Sequence, residues 1–173
     1  MTRDLWQGDR VVLVRPGIRD QEEFLRAVES SATLHRSWVS PPCDPDEYRA
    51  YLRRVRRRDH FGVLVRAVDD RALAGVVNIN NVVFGAHLSG YLGYYAFRPQ
   101  RQQGFMTEAL NAVVEHAFGS WGLHRLEANI QPANTASIQL VERCGFRREG
   151  YSPDYLLIDG QWRDHERWAI TKR

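Results

Sequence analysis

Apolar residues along this chain fall into short runs and helical stripes that alternate, with turn signals between them. Residues 10–15 enclose Val11, Val12, Leu13 and Val14 and read as a first strand, ended by Pro16-Gly17. A helix is predicted from Asp20, with Glu23 three residues on as a capping box and Phe24, Leu25 and Val28 as its apolar face. After Pro41-Pro42, the run Asp44-Pro45-Asp46-Glu47 opens a second helix: an N-cap, a proline at the first position and acids in the first turn. Two strands, 60–68 and 72–84, flank Asp69-Asp70-Arg71, and a Gly- and Tyr-rich strand follows over 89–97. Met106, Ala109, Leu110, Val113, Val114, Ala117 and Phe118 recur at the spacing of one helical face and predict a helix over 105–118.

The last third reads as a strand over 126–131, a helix over 135–143 and a hairpin of strands 155–158 and 161–170. Gly145 is placed as the left-handed cap of that helix, and Asp159-Gly160 is a two-residue hairpin turn. The resulting order, β-α-α-β-β-β-α-β-α-β-β, predicts an α+β or mixed α/β domain with a partly antiparallel sheet, one domain over residues 1–173.

One segment carries chemistry by its placement. Arg101-Gln102-Gln103-Gly104-Phe105-Met106 joins the Tyr-rich strand to the helix starting at Phe105. A helix N-terminus leaves its first amides unpaired and partly positive, which suits a pyrophosphate. Gly104 would let the backbone approach such an anion. The donors would be backbone amides from Gln103 to Thr107, with Arg101 as the nearby charge. No Gly-x-Gly-x-x-Gly is present, and no Gly-Lys-Ser/Thr ends the loop, so dinucleotide and mononucleotide cradles fit less well.

Composition changes this picture little. Twenty-four Lys and Arg against 21 Asp and Glu give a formal charge of +3, and Lys172 is the one lysine, so any anion site here uses arginine forks. Cys43 and Cys144 make neither a disulfide framework nor a metal-ligand spacing, and no metal is expected. No apolar run has membrane-span length and the first ten residues lack a signal-peptide stretch; the expectation is a cytoplasmic protein with free thiols, away from membranes.

The pattern Arg-x-x-Gly-x-Met between strand and helix resembles the acetyl-CoA motif of the GNAT acetyltransferase superfamily, and the element order matches that fold across nearly the whole chain. Within the superfamily the likeness is to the Rim-type enzymes that acetylate ribosomal-protein alanine termini. Its carriers are residues 75–83, Tyr91-Leu92-Gly93-Tyr94, Gly104-x-Met106-x-Glu108-Ala109-Leu110, and above all 150–165, from Gly150-Tyr151 through Asp159-Gly160-Gln161-Trp162-Arg163-Asp164-His165. The likeness weakens before residue 60.

The resemblance implies a mixed, mostly antiparallel sheet splayed at the CoA site and flanked by helices. It also implies acetyl-CoA as co-substrate and direct attack by an amine in a ternary complex. The acceptor would be a protein N-terminus, such as that of a ribosomal protein, and the enzyme a monomer or homodimer. A backbone N–H near Ala96 or Phe97 would stabilise the thioester oxygen. Many members carry a tyrosine seven residues after the asparagine of the last helix; Val141 stands there instead. The Rim-type alternative is a serine three residues after it, here Ser137, which could equally cap the helix. Asn134 would cap that helix and contact the pantetheine arm.

An α-amine has a pKa of about 7.7–8.0 against about 10.4 for lysine, so near neutrality a useful fraction is already neutral and a weak or water-relayed base suffices. Glu127, sharing a strand face with Asn129, and Asp154 are the candidate bases. Asn78 and Asn80 could line an acceptor groove or bond along a strand, and Tyr151, Tyr155 and Trp162 could wall a peptide slot or pack the hairpin. Glu108 suits its helix dipole. Asp164-His165 does not make a dyad, because neighbours on a strand face opposite sides. Two other readings stand beside this one. One is acetylation of a small amine such as a polyamine, amino acid or aminoglycoside, for which a carboxylate-lined groove would be expected. The other is RNA contact through Arg53-Arg54-x-Arg56-Arg57-Arg58, where helical spacing scatters the charges as on a solvated face.

Overall fold

A computed structural model describes residues 4–98 and 104–172. Eight strands form one sheet: β1 (Asp4–Gln7), β2 (Val11–Val14), β3 (Phe61–Ala67), β4 (Leu73–Val83), β5 (Ser89–Ala96), β6 (Arg125–Ile130), β7 (Arg147–Ile158) and β8 (Gln161–Thr171). Their spatial order is β1-β2-β3-β4-β5-β6-β8-β7, antiparallel throughout except between β5 and β6. Five helices complete the fold: α1 (Gln21–Ser30), α2 (Ala32–His35), α3 (Pro45–Arg54), α4 (Phe105–Gly119) and α5 (Thr135–Arg143).

The sheet is covered on both faces, and strand alternation sorts its side chains between two cores. Val63, Val65, Val77 and Ile79 face α4, where Leu110, Val113 and Ala117 meet them. Leu64, Val76, Tyr95 and Phe97 face the other way, onto Phe24 of α1 and Tyr48 and Tyr51 of α3. The Phe24 ring lies 4.7 Å from Tyr48 and 5.7 Å from Phe97, centroid to centroid. The crossover from β5 through α4 to β6 makes those two strands parallel, as a helical connection of this length allows.

Most predicted elements are present within a residue or two of their expected limits. Asp44 caps α3 by accepting from the amides of Asp46 and Glu47, with Pro45 behind it. Asp159 and Gly160 both take positive φ, +49° and +72°, the geometry a two-residue hairpin needs. Four features differ from the sequence reading, one being the short helix α2, which falls where a loop is expected. Strand β1 was not expected, and β7 begins at Arg147, eight residues before the predicted strand. The capping box at Asp20 does not form: the Asp20 carboxylate accepts from the Gly17 amide and pairs with Arg66, which also takes Glu23. A guanidinium from β3 thus outcompetes the local cap.

That cluster joins α1 to the sheet from the side that covers the site. Asp20 and Arg66 side chains are only 6% and 13% exposed, so removing the cation takes the guanidinium away from a buried carboxylate. Arg66→Met should destabilise the fold by about 3 kcal/mol. Urea unfolding checks this; a loss below about 1 kcal/mol would mean that Asp20 is satisfied without Arg66.

Candidate active site

The site is a gap in the sheet. The β5–β6 ladder starts at Ser89↔Arg125 and ends at Leu92↔Ala128, yet β5 runs on to Ala96 and β6 to Ile130. The β4–β5 register determines which backbone groups face that gap. Phe97 N–H donates to the Ala74 carbonyl at 2.8 Å, so Phe97 and, two residues back, Tyr95 bond to β4. In antiparallel pairing the intervening residues point their amides the other way. Tyr94 and Ala96 therefore present N–H and C=O toward β6, beyond the last paired residue. This corrects the expectation for Phe97 and leaves Ala96, with Tyr94, as the backbone able to meet a thioester oxygen.

His35 at the end of α2 holds the gap's edge. Its Nε2 lies 2.8 Å from the Ala96 carbonyl, and burial lowers the imidazole's pKa, so the neutral ring donates there. Nothing local in the chain signals this contact, because α2 is a single short turn and its partner lies 61 residues away.

A cavity of about 810 Å³ passes through the gap and reaches both faces of the sheet. On the α4 side it is lined by Gly104, Phe105, Met106, Thr107, Asn134 and Ser137, all named by the sequence. Gly104 caps α4 with φ +79°, and a Cβ there would stand 2.6 Å from Arg10 Nη1. The left-handed φ favours glycine, and the close approach places the Arg10 guanidinium at the helix N-terminus. Arg101, Gln102 and Gln103 lie outside the described residues. Glu108 does more than favour the dipole: its Oε1 accepts from the Arg10 amide at 3.0 Å, fastening the first turn of α4 to the start of β2. Gly75 permits the same approach from β4, since a Cβ there would lie 2.5 Å from Met106 Sδ.

Asn134 caps α5 by accepting from the Ser137 amide. The Ser137 hydroxyl is consequently not needed for capping, and it lies 2.7 Å from Tyr94 Oη. Burial raises the Tyr94 phenol well above its usual pKa, so it stays protonated. A tyrosine hydroxyl from β5 thus stands beside α5, where position 141 itself is valine. Strand alternation groups Leu92, Tyr94 and Ala96 on one face, but only the pairing of β4 with β5 shows that this face meets α5.

On the opposite face the cavity is walled by Leu34, His35, Trp38, Val39, Asn129, Gln131, Leu156, Ile158 and His165. Neither carboxylate proposed as base is there. Glu127 is held by Arg125, Nε to Oε1 2.9 Å, and Asp154 is exposed on a bulge of β7. Asn78 is buried with its Oδ1 accepting from Tyr51 Oη, and Asn80 sits with it outside the cavity lining, so the expected asparagine groove is not part of the site. Tyr151 is exposed and bonds Asp164, whereas Tyr155 packs 5.8 Å from the His165 ring just behind the wall. Asp164 and His165 do face opposite sides: the first stays outside with Tyr151, the second is 2% exposed and lines the cavity. Cys144, buried against α4, has its thiol pushed up to about 11, which suits packing rather than nucleophilic attack.

Residues 10–147 match the acetyltransferase (GNAT) domain family. The chain belongs to this family, N-acetyltransferases that take acetyl-CoA as co-substrate. It is 45% identical over 103 residues to the ribosomal protein uS5-alanine N-acetyltransferase of Escherichia coli K12, a match covering 60% of this chain and 53% of that protein. The chain thus spans about half the length of that curated relative. Among solved structures, RimJ of Mycobacterium smegmatis in complex with CoA-disulfide superposes with a TM-score of 0.85 and 29% identity, covering 93% of this chain and 81% of that one. A spermidine N-acetyltransferase of Vibrio cholerae in complex with CoA and spermine shares the fold at TM-score 0.79 and 19% identity, over 93% and 95% of the two chains.

If the Ser137–Tyr94 pair protonates a leaving thiolate, Ser137→Ala and Tyr94→Phe should each lower kcat by about 10-fold or more, with the Kd for acetyl-CoA changed less than about threefold. Steady-state kinetics beside calorimetric CoA binding separate the two quantities. Equal losses in both would make the pair a binding element.

Proposed function

We propose that this protein transfers the acetyl group of acetyl-CoA to the α-amine of a protein N-terminus, a ribosomal protein being the acceptor type suggested by its relatives. The observation that carries this reading is the acceptor wall. Among the described residues lining the cavity there is no Asp or Glu; the wall is Leu, Ile, Val, Trp, Asn, Gln and His. A polyamine or aminoglycoside brings several cations, and burying them without carboxylates costs several kcal/mol each. A peptide N-terminus brings one amine of modest pKa, a large fraction of which is neutral near pH 8, together with backbone groups and an apolar or small side chain.

Acetyl-CoA fits the α4 side. The turn at Gly104 and the Arg10 guanidinium suit its pyrophosphate, and the pantetheine arm, which carries two amides, suits the backbone groups of Tyr94 and Ala96 in the gap. The thioester carbonyl then reaches the Ala96 or Tyr94 N–H, and the sulfur lies beside the Tyr94–Ser137 hydroxyls. The amine enters from the other face. Substrates meet through the opened sheet, with no protein nucleophile between them.

Purified protein incubated with acetyl-CoA and short peptides beginning Ala, Ser, Thr or Met, beside spermidine and an aminoglycoside, tests the reading by mass spectrometry. One acetyl added to peptide α-amines, and none to internal lysines, is the expected result. Acetylation confined to the small polyamines would replace it with the small-amine reading.

A further inference from the structure

We propose that His165 is the base that takes the proton from the acceptor amine, with Asn129 Oδ1 receiving the amine's other N–H. This rests on the acetyl-transfer reading above and assigns a residue for a step that it leaves open.

Among the described residues lining the cavity, the side chains that can offer a basic nitrogen lone pair are His35 and His165, since no Asp or Glu lines it and a guanidinium only donates. His35 is committed to the gap's edge: its Nε2 donates to the Ala96 carbonyl, which ties the ring to β5. His165 is arranged the other way round. Its Nδ1 lies 2.8 Å from the Arg163 carbonyl, a group that can only accept, so Nδ1 carries a hydrogen. In the neutral ring Nε2 then holds the lone pair. The Tyr155 ring on β7 packs against the imidazole at 5.8 Å, tilted by 59°. Asp164, the carboxylate beside it in sequence, points outward to Tyr151 and the Asp154 amide and does not reach the cavity.

Asn129 supplies the second contact. Its Oδ1 is buried with no hydrogen-bond partner, although the residue lines the cavity. An unmet acceptor of this kind costs about 1–3 kcal/mol, which a bound N–H would recover. The β6–β8 register pairs Asn129 with Arg167 and Ile130 with Glu166, so His165 falls opposite Gln131. Asn129 and His165 therefore stand on the same sheet face, one diagonal step apart, a separation of about 7–8 Å between backbones that two side chains converging on one nitrogen can close.

The step balances as follows. A neutral amine nitrogen attacks the thioester carbon, forming the N–C bond, and its proton moves to His165 Nε2. The C–S bond breaks, and the thiolate takes a proton from the Tyr94–Ser137 hydroxyls. The imidazolium releases its proton to water, and the hydroxyl pair regains one from water. Proton uptake and proton release occur on opposite faces of the sheet, so one group need not serve both roles.

Two variants test this on a peptide beginning with Ala. His165→Asn keeps a donor for the Arg163 carbonyl but removes Nε2; His165→Ala opens room for a soluble base. Both should lower kcat by at least about 100-fold while acetyl-CoA affinity and melting temperature stay near wild type, and added imidazole should restore His165→Ala several-fold. Asn129→Leu should raise the peptide KM more than it lowers kcat. Wild-type-like turnover of His165→Asn overturns the assignment, as does a loss that imidazole leaves unchanged in the folded Ala variant. A wild-type protein that acetylates no peptide α-amine removes the acetyl-transfer reading itself, whereas an active wild type with active His165 variants removes only this inference.

Discussion

Everything in this site depends on where β5 and β6 stop pairing. Four residues of parallel ladder hold the strands together, and then both continue without each other. The edges of the gap are kept apart by bonds elsewhere. Phe97 N–H is committed to Ala74, the Ala96 carbonyl to His35, and Gln131, just past β6, donates to the Ser37 carbonyl. Unpaired strand edges are unfavourable unless something satisfies them. Here the unpaired amides are the feature that suits a ligand with amides of its own.

The gap also divides the chemistry. One face of the sheet carries the turn at Gly104, the capped α5 and the Tyr94–Ser137 hydroxyls; the other carries His165, Asn129 and the apolar wall from Leu34 to Val39. Burial sets the protonation of each side in the useful direction. It keeps the Tyr94 phenol protonated and lowers His35, so that a donor stays a donor and the edge of the gap carries no extra charge. Glu108 does quieter work by tying the first turn of α4 to β2, which fixes the anion-binding amides relative to the sheet.

How much of this the sequence disclosed follows from the range of each interaction. The stripe of α4, the Asp44 cap, Gly145 with φ +83° and the Asp159-Gly160 turn are set by neighbours within a few residues, and all were legible. The Gly104 turn and Asn134–Ser137 were legible for the same reason. Asp20 was misread because its partner is 46 residues away, and Asn78 because Tyr51 reaches it across the core. Strand β7 was cut short because Arg147 to Ser152 is polar and lies at the sheet edge, where alternation carries no burial signal. His35, Tyr94 and His165 carry no local signal: strand register brings Tyr94 and His165 to the gap, and the packing of α2 against β5 brings His35.

Amide hydrogen exchange with and without CoA tests the central claim, that the opened β5–β6 seam is the cofactor's backbone partner. Saturating CoA should slow exchange at Tyr94 and Ala96 by about tenfold or more, while Phe97, already bonded to Ala74, changes little. CoA that binds yet leaves the Tyr94 and Ala96 amides exchanging at their free rate would contradict the account.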